Sequence, residues 1–287
     1  MLKNDTSIFI GCESDYKESE IVLFGAPFDG TTSFRPGTRF APHTIRSESF
    51  GIETYSPYQD KDMCEIKVFD SGDLDFPFGN TNAVLDMITE RTKIILNDDK
   101  IPFMIGGEHL VTLGAVRAVA EKYTDLHILH FDAHTDLREE YLGETLSHAT
   151  VIKRCWDIVG DNKIYQFGIR SGEKYEFEFA KQHTFLTKFN TNGIEQAIKN
   201  LKGKPVYLTL DLDILDPSIF SGTGTPEAGG ITFNELLNAL IKTLELNIVG
   251  CDVNELSPVY DASGVSTAVA CKIIRELLLM LGGKNNG

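Results

Sequence analysis

The stretch His130-Phe131-Asp132-Ala133-His134-Thr135-Asp136 ends an apolar run, residues 126–131, that is typical of a buried strand. After the strand, Asp132, His134 and Asp136 occupy alternate positions, and alternate side chains of extended backbone point to the same side. Two carboxylates and an imidazole held this close together favour a bound cation, because like charges at short range otherwise drive protonation. In isolation, the same triplet would fit a polar loop equally well.

Two other strand ends repeat the pattern. The apolar run 206–210 is followed by Asp211 and Asp213, again at alternate positions. The run 101–105 leads through Gly106-Gly107-Glu108-His109 into a helical pattern. Paired glycines at a strand-to-helix turn allow close backbone approach and place the histidine at the helix start.

Short apolar strands alternate with helical patterns along the chain. We predict strands at 21–25, 65–69, 101–105, 126–131, 163–168, 206–210 and 247–253, and helices at 42–50, 82–96, 110–122, 173–182, 193–200, 233–244 and 266–281. Because no hairpin turn links the strands, the pattern predicts a parallel sheet covered by helices on both faces. We see no linker or repeat, so we expect one domain over residues 1–287.

Ligands of parallel α/β sheets bind at the carboxyl ends of the strands. Every suspected site residue lies at such an end: His109, Asp132, His134, Asp136, Asp211, Asp213 and Glu255. The acids Asp70, Asp73 and Asp75 follow the strand predicted at 65–69, and we expect them to be solvated in a turn.

The composition restricts the partners. The 42 acidic and 27 basic side chains give a net charge of −15, which argues against nucleic acid or an anionic membrane as partner. The five cysteines form no CxxC pair, which favours a reduced, intracellular protein. No apolar run approaches the length of a membrane span, and the first sixteen residues lack the pattern of a signal peptide. We therefore expect a cytoplasmic protein.

Two histidines and four aspartates exceed the needs of one zinc ion. Mixed imidazole and carboxylate ligands suit two Mn²⁺ ions, and four carboxylates balance the charge of two divalent cations. A paired metal site lowers the pKa of bound water, which predicts hydrolysis. A phosphoesterase would normally need a basic residue for its phosphate, and the acidic surroundings disfavour that reading.

The motifs resemble those of the ureohydrolase family, which includes arginase and agmatinase, and are most similar to the bacterial agmatinases. The resemblance covers the chain from about Ile21 onward and rests on spaced blocks in the correct order: Gly106-Gly107-Glu108-His109, Asp132-Ala133-His134-Thr135-Asp136, Asp211-Leu212-Asp213, Arg35-Pro36-Gly37-Thr38-Arg39, Gly222-Thr223-Gly224-Thr225-Pro226 and Asp252-Val253-Asn254-Glu255-Leu256-Ser257-Pro258. It implies a three-layer α/β/α domain with a mostly parallel central sheet.

The resemblance also implies roles for individual residues. Asp132 and Asp211 would bridge two Mn²⁺ ions, with His109 and Asp136 completing one and His134 and Asp213 completing the other. Glu255 would bind the substrate guanidinium. His148 would shuttle a proton, and Asp136 would pass one to the leaving amine. Hydroxide attack on the guanidinium carbon would give urea and an amine, from a homo-oligomer that is a trimer or hexamer.

The substrate is predicted from one departure. Where arginases carry a Ser/Asn-rich loop that binds a carboxylate, this chain has Glu139, Glu140, Tyr141 and Glu144. We therefore expect agmatine, a small cationic guanidine whose hydrolysis yields urea and putrescine. The alternatives are guanidinobutyrate, arginine or formiminoglutamate as substrate, or a catalytically silent relative that binds metal or polyamine. His127 and His130 we expect to serve strand packing or to support the site.

Overall fold

The computed structural model describes residues 8–283. Its central sheet has eight strands, all parallel, in the order β4-β1-β5-β10-β9-β6-β7-β8. The strands of this sheet are β1 (Ile21–Gly25), β4 (Val68–Asp73), β5 (Ile101–Ile105), β6 (His127–Phe131), β7 (Ile164–Ile169), β8 (Phe185–Lys188), β9 (Pro205–Asp211) and β10 (Asn247–Asn254). Two short antiparallel strands, β2 (Tyr55–Ser56) and β3 (Lys61–Asp62), form a separate pair.

Helices cover both faces of the sheet and make three layers. They are α1 (Ala41–Glu48), α2 (Thr81–Asn97), α3 (Val111–Lys122), α4 (Val151–Val159), α5 (Lys174–His183), α6 (Ile194–Leu201), α7 (Phe233–Lys242) and α8 (Val265–Leu281). Alternate residues of β1 show the division, because Ile21 and Leu23 pack with α1, α6, α7 and α8 while Val22 and Phe24 pack with α2 to α5. The predicted α/β/α architecture is confirmed.

The elements that we predicted are present, with ends displaced by a few residues. The capping box of Thr232 and Glu235 starts α7 as the sequence indicates. Three elements are additional: the pair β2–β3, the edge strand β8 and the amphipathic helix α4. The antiparallel β2–β3 pair lies outside the main sheet, so the parallel order of that sheet is unaffected.

The expectation that the acids after residue 69 are solvated is wrong for Asp70, whereas Asp73 and Asp75 are exposed as expected. Strand β4 continues through Asp73, and Asp70 is buried. Arg46 of α1 is also buried and holds both acids, with its Nε 2.7 Å from Asp70 Oδ2 and its Nη1 bonded to Asp73 Oδ1. The charge of the arginine stabilises buried Asp70, which the local sequence alone would leave in water.

The strand order brings the suspected residues to one edge. Strands β5, β10, β9 and β6 are consecutive neighbours in the sheet, and in a parallel sheet their carboxyl ends face the same way. Among the described helices, none combines the length and apolar character that crossing a bilayer requires. All five cysteines are free, and only Cys64 is exposed.

Candidate active site

The carboxylate of Asp132 lies at the centre of the site. The side chain is fully buried just after β6, and it belongs to both groups of potential metal ligands in residues 8–283. One group contains His109, His130, Asp132 and Asp136, and the other contains Asp132, His134 and Asp213. A carboxylate that two ligand groups share has the position of a bridging ligand.

The first group surrounds the imidazole of His109. Its Nδ1 lies 3.0 Å from Asp132 Oδ2, 3.0 Å from Asp136 Oδ2 and 3.6 Å from Asp211 Oδ2. Asp136 reaches this position through left-handed backbone, with a φ of 52°, which non-glycine residues rarely adopt. Strain of this kind is common at functional sites because the surrounding structure must hold it.

The second group lies beside the first. His134 Nδ1 is 3.0 Å from Asp213 Oδ2 and 3.5 Å from Asp132 Oδ1. The backbone N–H of Asp213 donates to Asp211 Oδ1 at 2.8 Å, which orients the second pair of aspartates. All six predicted ligands therefore lie in one continuous cluster.

The charges of this cluster call for a cation. Burial, and then the neighbouring carboxylates of Asp213 and Asp132, raise the pKa of Asp211 well above its ordinary value. Burial and the charge of Asp132 raise the pKa of Asp136 to about 7. Burial also opposes ionisation of Asp132, but bonds from three surrounding histidines hold its pKa well below the usual range. Imidazole and carboxylate donors at this density fit divalent transition-metal ions.

Other buried polar groups orient the ligands from behind. His130 Nε2 lies 2.8 Å from Asp132 Oδ2, and Gln166 Nε2 lies 3.1 Å from the other ring nitrogen of His130. His109 Nε2 lies 2.8 Å from the hydroxyl of Thr209. His130 thus contacts a predicted ligand, in agreement with the supporting role that we expected. Such contacts fix the ring orientation and tautomer of ligating side chains.

Glu255 follows β10 and lies beside the cluster. Its side chain is buried, its φ is 67°, and its Oε1 accepts the backbone N–H of His109 at 2.7 Å. Burial, and then the charge of Glu108, raise the pKa of Glu255 well above the usual value. Among the described residues, neither lysine nor arginine forms an ion pair with this carboxylate. No basic side chain of the described residues therefore neutralises this carboxylate.

A cavity of about 190 Å³ opens above the cluster. Its lining includes His134, Asp136, His148, Tyr141 and Arg138. Burial and then the charge of His134 lower the pKa of His148 to about 4, so its imidazole is neutral near pH 7 and can accept a proton. His148 Nε2 lies 3.0 Å from the hydroxyl of Ser33, which also lines the cavity.

The acidic loop is arranged differently from our expectation. The carboxylate of Glu139 pairs with Lys153 and Arg154 at 3.0 Å each, and neither Glu140 nor Glu144 lines the cavity. The loop contributes Arg138 and Tyr141 instead. We predicted agmatine because these glutamates would repel a substrate carboxylate, but none of the three lines the cavity.

The charge of Arg138 is balanced by helix α5. Its Nη2 lies 3.4 Å from Glu173 Oε1, its Nε lies 3.7 Å from Glu176 Oε2, and its guanidinium lies over the ring of Tyr141. Buried Glu176 also accepts the hydroxyl of Thr135 at 2.5 Å. An arginine engaged on several sides is less available to bind a substrate carboxylate.

Several cavity residues were not predicted from the sequence. Thr225 lies within the block 222–226 that we noted and Ser33 lies two residues before the block 35–39, while Arg138 and Glu176 had no distinguishing pattern. Arg138 lies two residues beyond Asp136, which is the only local signal for it. Glu176 lies on a helix 40 positions from Asp136 along the chain, and only the fold brings it there.

The fold and the ligand cluster define a metal-dependent hydrolase of the α/β class. The model of the arginase family matches residues 19–280, and the chain belongs to this family. It is 49% identical over 276 residues to the agmatinase of Bacillus cereus, with 95% of each chain covered. It is 34% identical to the proclavaminate amidinohydrolase of Streptomyces clavuligerus, covering 90% of this chain and 87% of that one.

Solved structures agree with this family assignment. A Clostridium difficile protein with a provisional agmatinase assignment superposes with a TM-score of 0.91 and 55% sequence identity, covering 94% of this chain and 99% of that one. The arginase-like fold predicted from the motifs is confirmed.

Proposed function

We propose that this protein is an agmatinase that hydrolyses agmatine to urea and putrescine with two Mn²⁺ ions. The observation that carries the proposal is the buried carboxylate of Glu255, which has no lysine or arginine partner among the described residues and lies beside the ligand cluster. A guanidinium ion is the planar cation that such a carboxylate binds best. Relatives named as agmatinases, at 45–49% identity, support the choice of substrate.

The ligand set fits a pair of divalent ions. Asp132 would be shared between them together with Asp211, which lies against the first group and bonds to the backbone of the second. His109 and Asp136 would complete one ion, and His134 and Asp213 the other. When bound, the ions supply Lewis-acid chemistry that makes water a nucleophile near neutral pH.

The residues of the chain supply binding and orientation. Glu255 would hold the guanidinium with its carbon facing the cluster, because the N–H of His109 fixes one carboxylate oxygen at 2.7 Å. This fixed geometry lowers the entropic cost of bringing water and substrate together. The left-handed backbone of Glu255 aims the side chain from the end of β10 into the site.

Two side chains would move protons. Hydrolysis forms a C–O bond to water, breaks one C–N bond and delivers a proton to the leaving amine nitrogen. Asp136 belongs to the ligand cluster and also lines the cavity, so it would pass that proton to the amine. His148 is neutral near pH 7 and lies at the cavity wall, where it would exchange protons between the departing product and solvent.

A second substrate class is favoured by one observation. Arg138 lines the cavity and is a cation that would attract the carboxylate of a guanidino acid. One relative is named as a proclavaminate amidinohydrolase, and this name indicates a substrate other than agmatine. We rank agmatine first because Glu173 and Glu176 already engage Arg138.

Urea release tests these assignments. Mn²⁺-loaded protein is incubated separately with agmatine, guanidinobutyrate, arginine and formiminoglutamate, with urea, formamide and amine products quantified. Agmatine giving the highest kcat/KM for urea supports the proposal. Preference for guanidinobutyrate or arginine assigns the pocket to guanidino acids through Arg138. No product from any of them overturns the hydrolase proposal in favour of a silent binding relative.

The remaining predictions complete this proposal. We expect one catalytic domain over residues 1–287, a cytoplasmic location, a homo-oligomeric state and a role in polyamine biosynthesis. The net charge of −15 supports a small cationic substrate and no nucleic-acid partner. Light scattering of the purified protein would distinguish a trimer or hexamer from a monomer of 31.9 kDa.

A further inference from the structure

The proposed reaction does not explain the hydrogen bonds that the buried Glu108 carboxylate makes. The side chain is fully buried next to His109, but its carboxylate bonds to residues of the segment 28–37, here called the 28–37 loop. Glu108 Oε2 accepts the backbone N–H of Thr31 at 2.9 Å and the hydroxyl of Thr32 at 3.0 Å, and Oε1 accepts the hydroxyl of Thr31.

The backbone of the glycine turn fits closely against the same loop. The N–H of Glu108 donates to the carbonyl of Phe28 at 2.7 Å. A Cβ at Gly107 would lie 1.9 Å from that carbonyl oxygen, so only glycine allows the approach. In residues 8–283 neither lysine nor arginine forms an ion pair with Glu108. A buried carboxylate that is held by two hydroxyls and one backbone N–H, without a basic partner, is costly, which indicates a specific use.

The 28–37 loop in turn holds His148 at two points. The backbone N–H of His148 donates to Thr31 Oγ1 at 3.1 Å. The ring nitrogen Nε2 of His148 lies 3.0 Å from Ser33 Oγ and 3.3 Å from the backbone N of Ser33. The loop therefore fixes both the main chain and the imidazole of this histidine.

The hydroxyl of Thr31 links the two sets of contacts. A hydroxyl has one proton to donate and two lone pairs that accept, whereas an ionised carboxylate only accepts. Because Thr31 Oγ1 accepts the N–H of His148, its own proton can point to Glu108 Oε1, and one hydroxyl thus bonds to both residues. Glu108 therefore orients the Thr31 hydroxyl, and that hydroxyl accepts the N–H of His148.

We propose that the Thr31 hydroxyl, held by Glu108, positions His148. This inference rests on the proposed function only in the role given to His148, and the contacts themselves do not depend on it. Glu108 contacts neither the cavity lining nor the ligand groups through its carboxylate, so its effect on turnover is indirect.

Three variants of the loop test the inference. Thr31→Val keeps the shape but removes both side-chain bonds, while Thr31→Ser keeps them. Thr32→Val is the matched control, because it also removes one bond to Glu108 but has no contact with His148. In Mn²⁺-loaded protein, Thr31→Val should lower kcat roughly tenfold or more with a smaller change in KM. Thr31→Ser and Thr32→Val should each stay within about threefold of wild type.

Hydrogen exchange supplies a readout that needs no activity. The His148 amide should exchange at least about tenfold faster in Thr31→Val, because its bond to Thr31 Oγ1 is lost, and should be unaffected in Thr32→Val. Equal exchange and equal kcat in the two valine variants would overturn the inference. If the wild type hydrolyses no guanidine, the proposed function fails, but the exchange comparison still decides whether Thr31 holds His148. Metal content measured in parallel separates this effect from damage at His109.

Discussion

The backbone N–H of His109 donates to Glu255 Oε1 at 2.7 Å, joining the start of α3 to the end of β10. The first residue is a predicted metal ligand and the second the predicted substrate ligand. One hydrogen bond therefore sets the position of the guanidinium site relative to the metal site. Among the described residues, no lysine or arginine pairs with the carboxylate of Glu255.

Glu255→Gln isolates the charge of this side chain. Glutamine retains an oxygen that can accept the His109 N–H, so the local geometry should persist while the ion pair with a guanidinium is lost. Losing one partner of a buried charge pair costs about 2–5 kcal/mol, so kcat/KM for agmatine should fall by roughly 30-fold or more. Steady-state kinetics of urea release would measure the loss. Glu121→Gln, which alters an exposed acid outside the cavity lining, is the matched control; a Glu255→Gln enzyme as active as that control would contradict the guanidinium role.

Metal removal should lower the stability of the protein. Two cations relieve repulsion among the clustered carboxylates, and each site contributes about 2.7 kcal/mol at a hundredfold excess over Kd. Adding Mn²⁺ to chelator-treated protein should raise Tm by roughly 5–10 °C. Asp132→Asn removes the carboxylate shared by both groups, so it should lose most of this rise and the hydrolysis. Asp86→Asn, an exposed aspartate outside the cluster, should keep both. An unchanged wild-type Tm would count against the cluster as a metal site.

His148 should remain neutral under mildly acidic conditions. Burial and the charge of His134 lower its pKa to about 4, whereas the unfolded chain has an ordinary histidine pKa of about 6.5. As the pH falls from about 6.5 towards 4, the unfolded state takes up this proton first, so the group progressively reduces stability over that window. NMR titration of the imidazole, assigned with His148→Asn, would follow it. A midpoint near 6.5 would contradict the desolvated environment.

The buried pair of Arg46 and Asp70 should be important for stability. Arg46→Met leaves the Asp70 carboxylate buried without its cation, which costs about 3–5 kcal/mol. Adding Asp70→Asn to this variant should recover part of the loss because the unpaired charge disappears. Urea denaturation would measure both. Lys93→Met, at the exposed pair with Glu121, should cost less than about 1 kcal/mol. If Arg46→Met and Lys93→Met lowered the free energy of unfolding equally, burial of the Arg46–Asp70 pair would not be important for stability.

From the sequence we predicted correctly that the site residues meet at the strand ends, but not the backbone conformation that brings them together. We inferred that Asp132, His134 and Asp136 share one side because extended backbone alternates. In the structure β6 ends at Phe131, His134 forms an isolated bridge to Ser171, and Asp136 arrives through a positive φ. The carboxylates meet because a tight loop holds them there. The alternation of side chains along a sequence does not reveal a positive φ such as that of Asp136.

Side-chain direction in loops could not be predicted from local sequence. We based the substrate prediction on acids such as Glu139 and Glu144, yet Arg138 and Tyr141 line the cavity. The direction of Arg138 is set by Glu173 and Glu176, which α5 brings from elsewhere in the chain. Asp70 was misjudged for the same reason, because its partner Arg46 lies on α1. Pairings between distant elements decide both cases, and one sequence without its fold does not contain them.

The position of β10 in the sheet has a consequence for how the protein matures. This strand is the last to be synthesised, yet it lies between β5 and β9, which carry ligands on either side. The ligands that follow β6 and β9 come from directly paired strands, whereas His109 follows β5 and is separated from them by β10. Contacts of such long sequence separation form late and slowly. A truncated translation product ending before residue 247 would therefore hold all six predicted metal ligands but would lack β10 and Glu255, and with them a complete site.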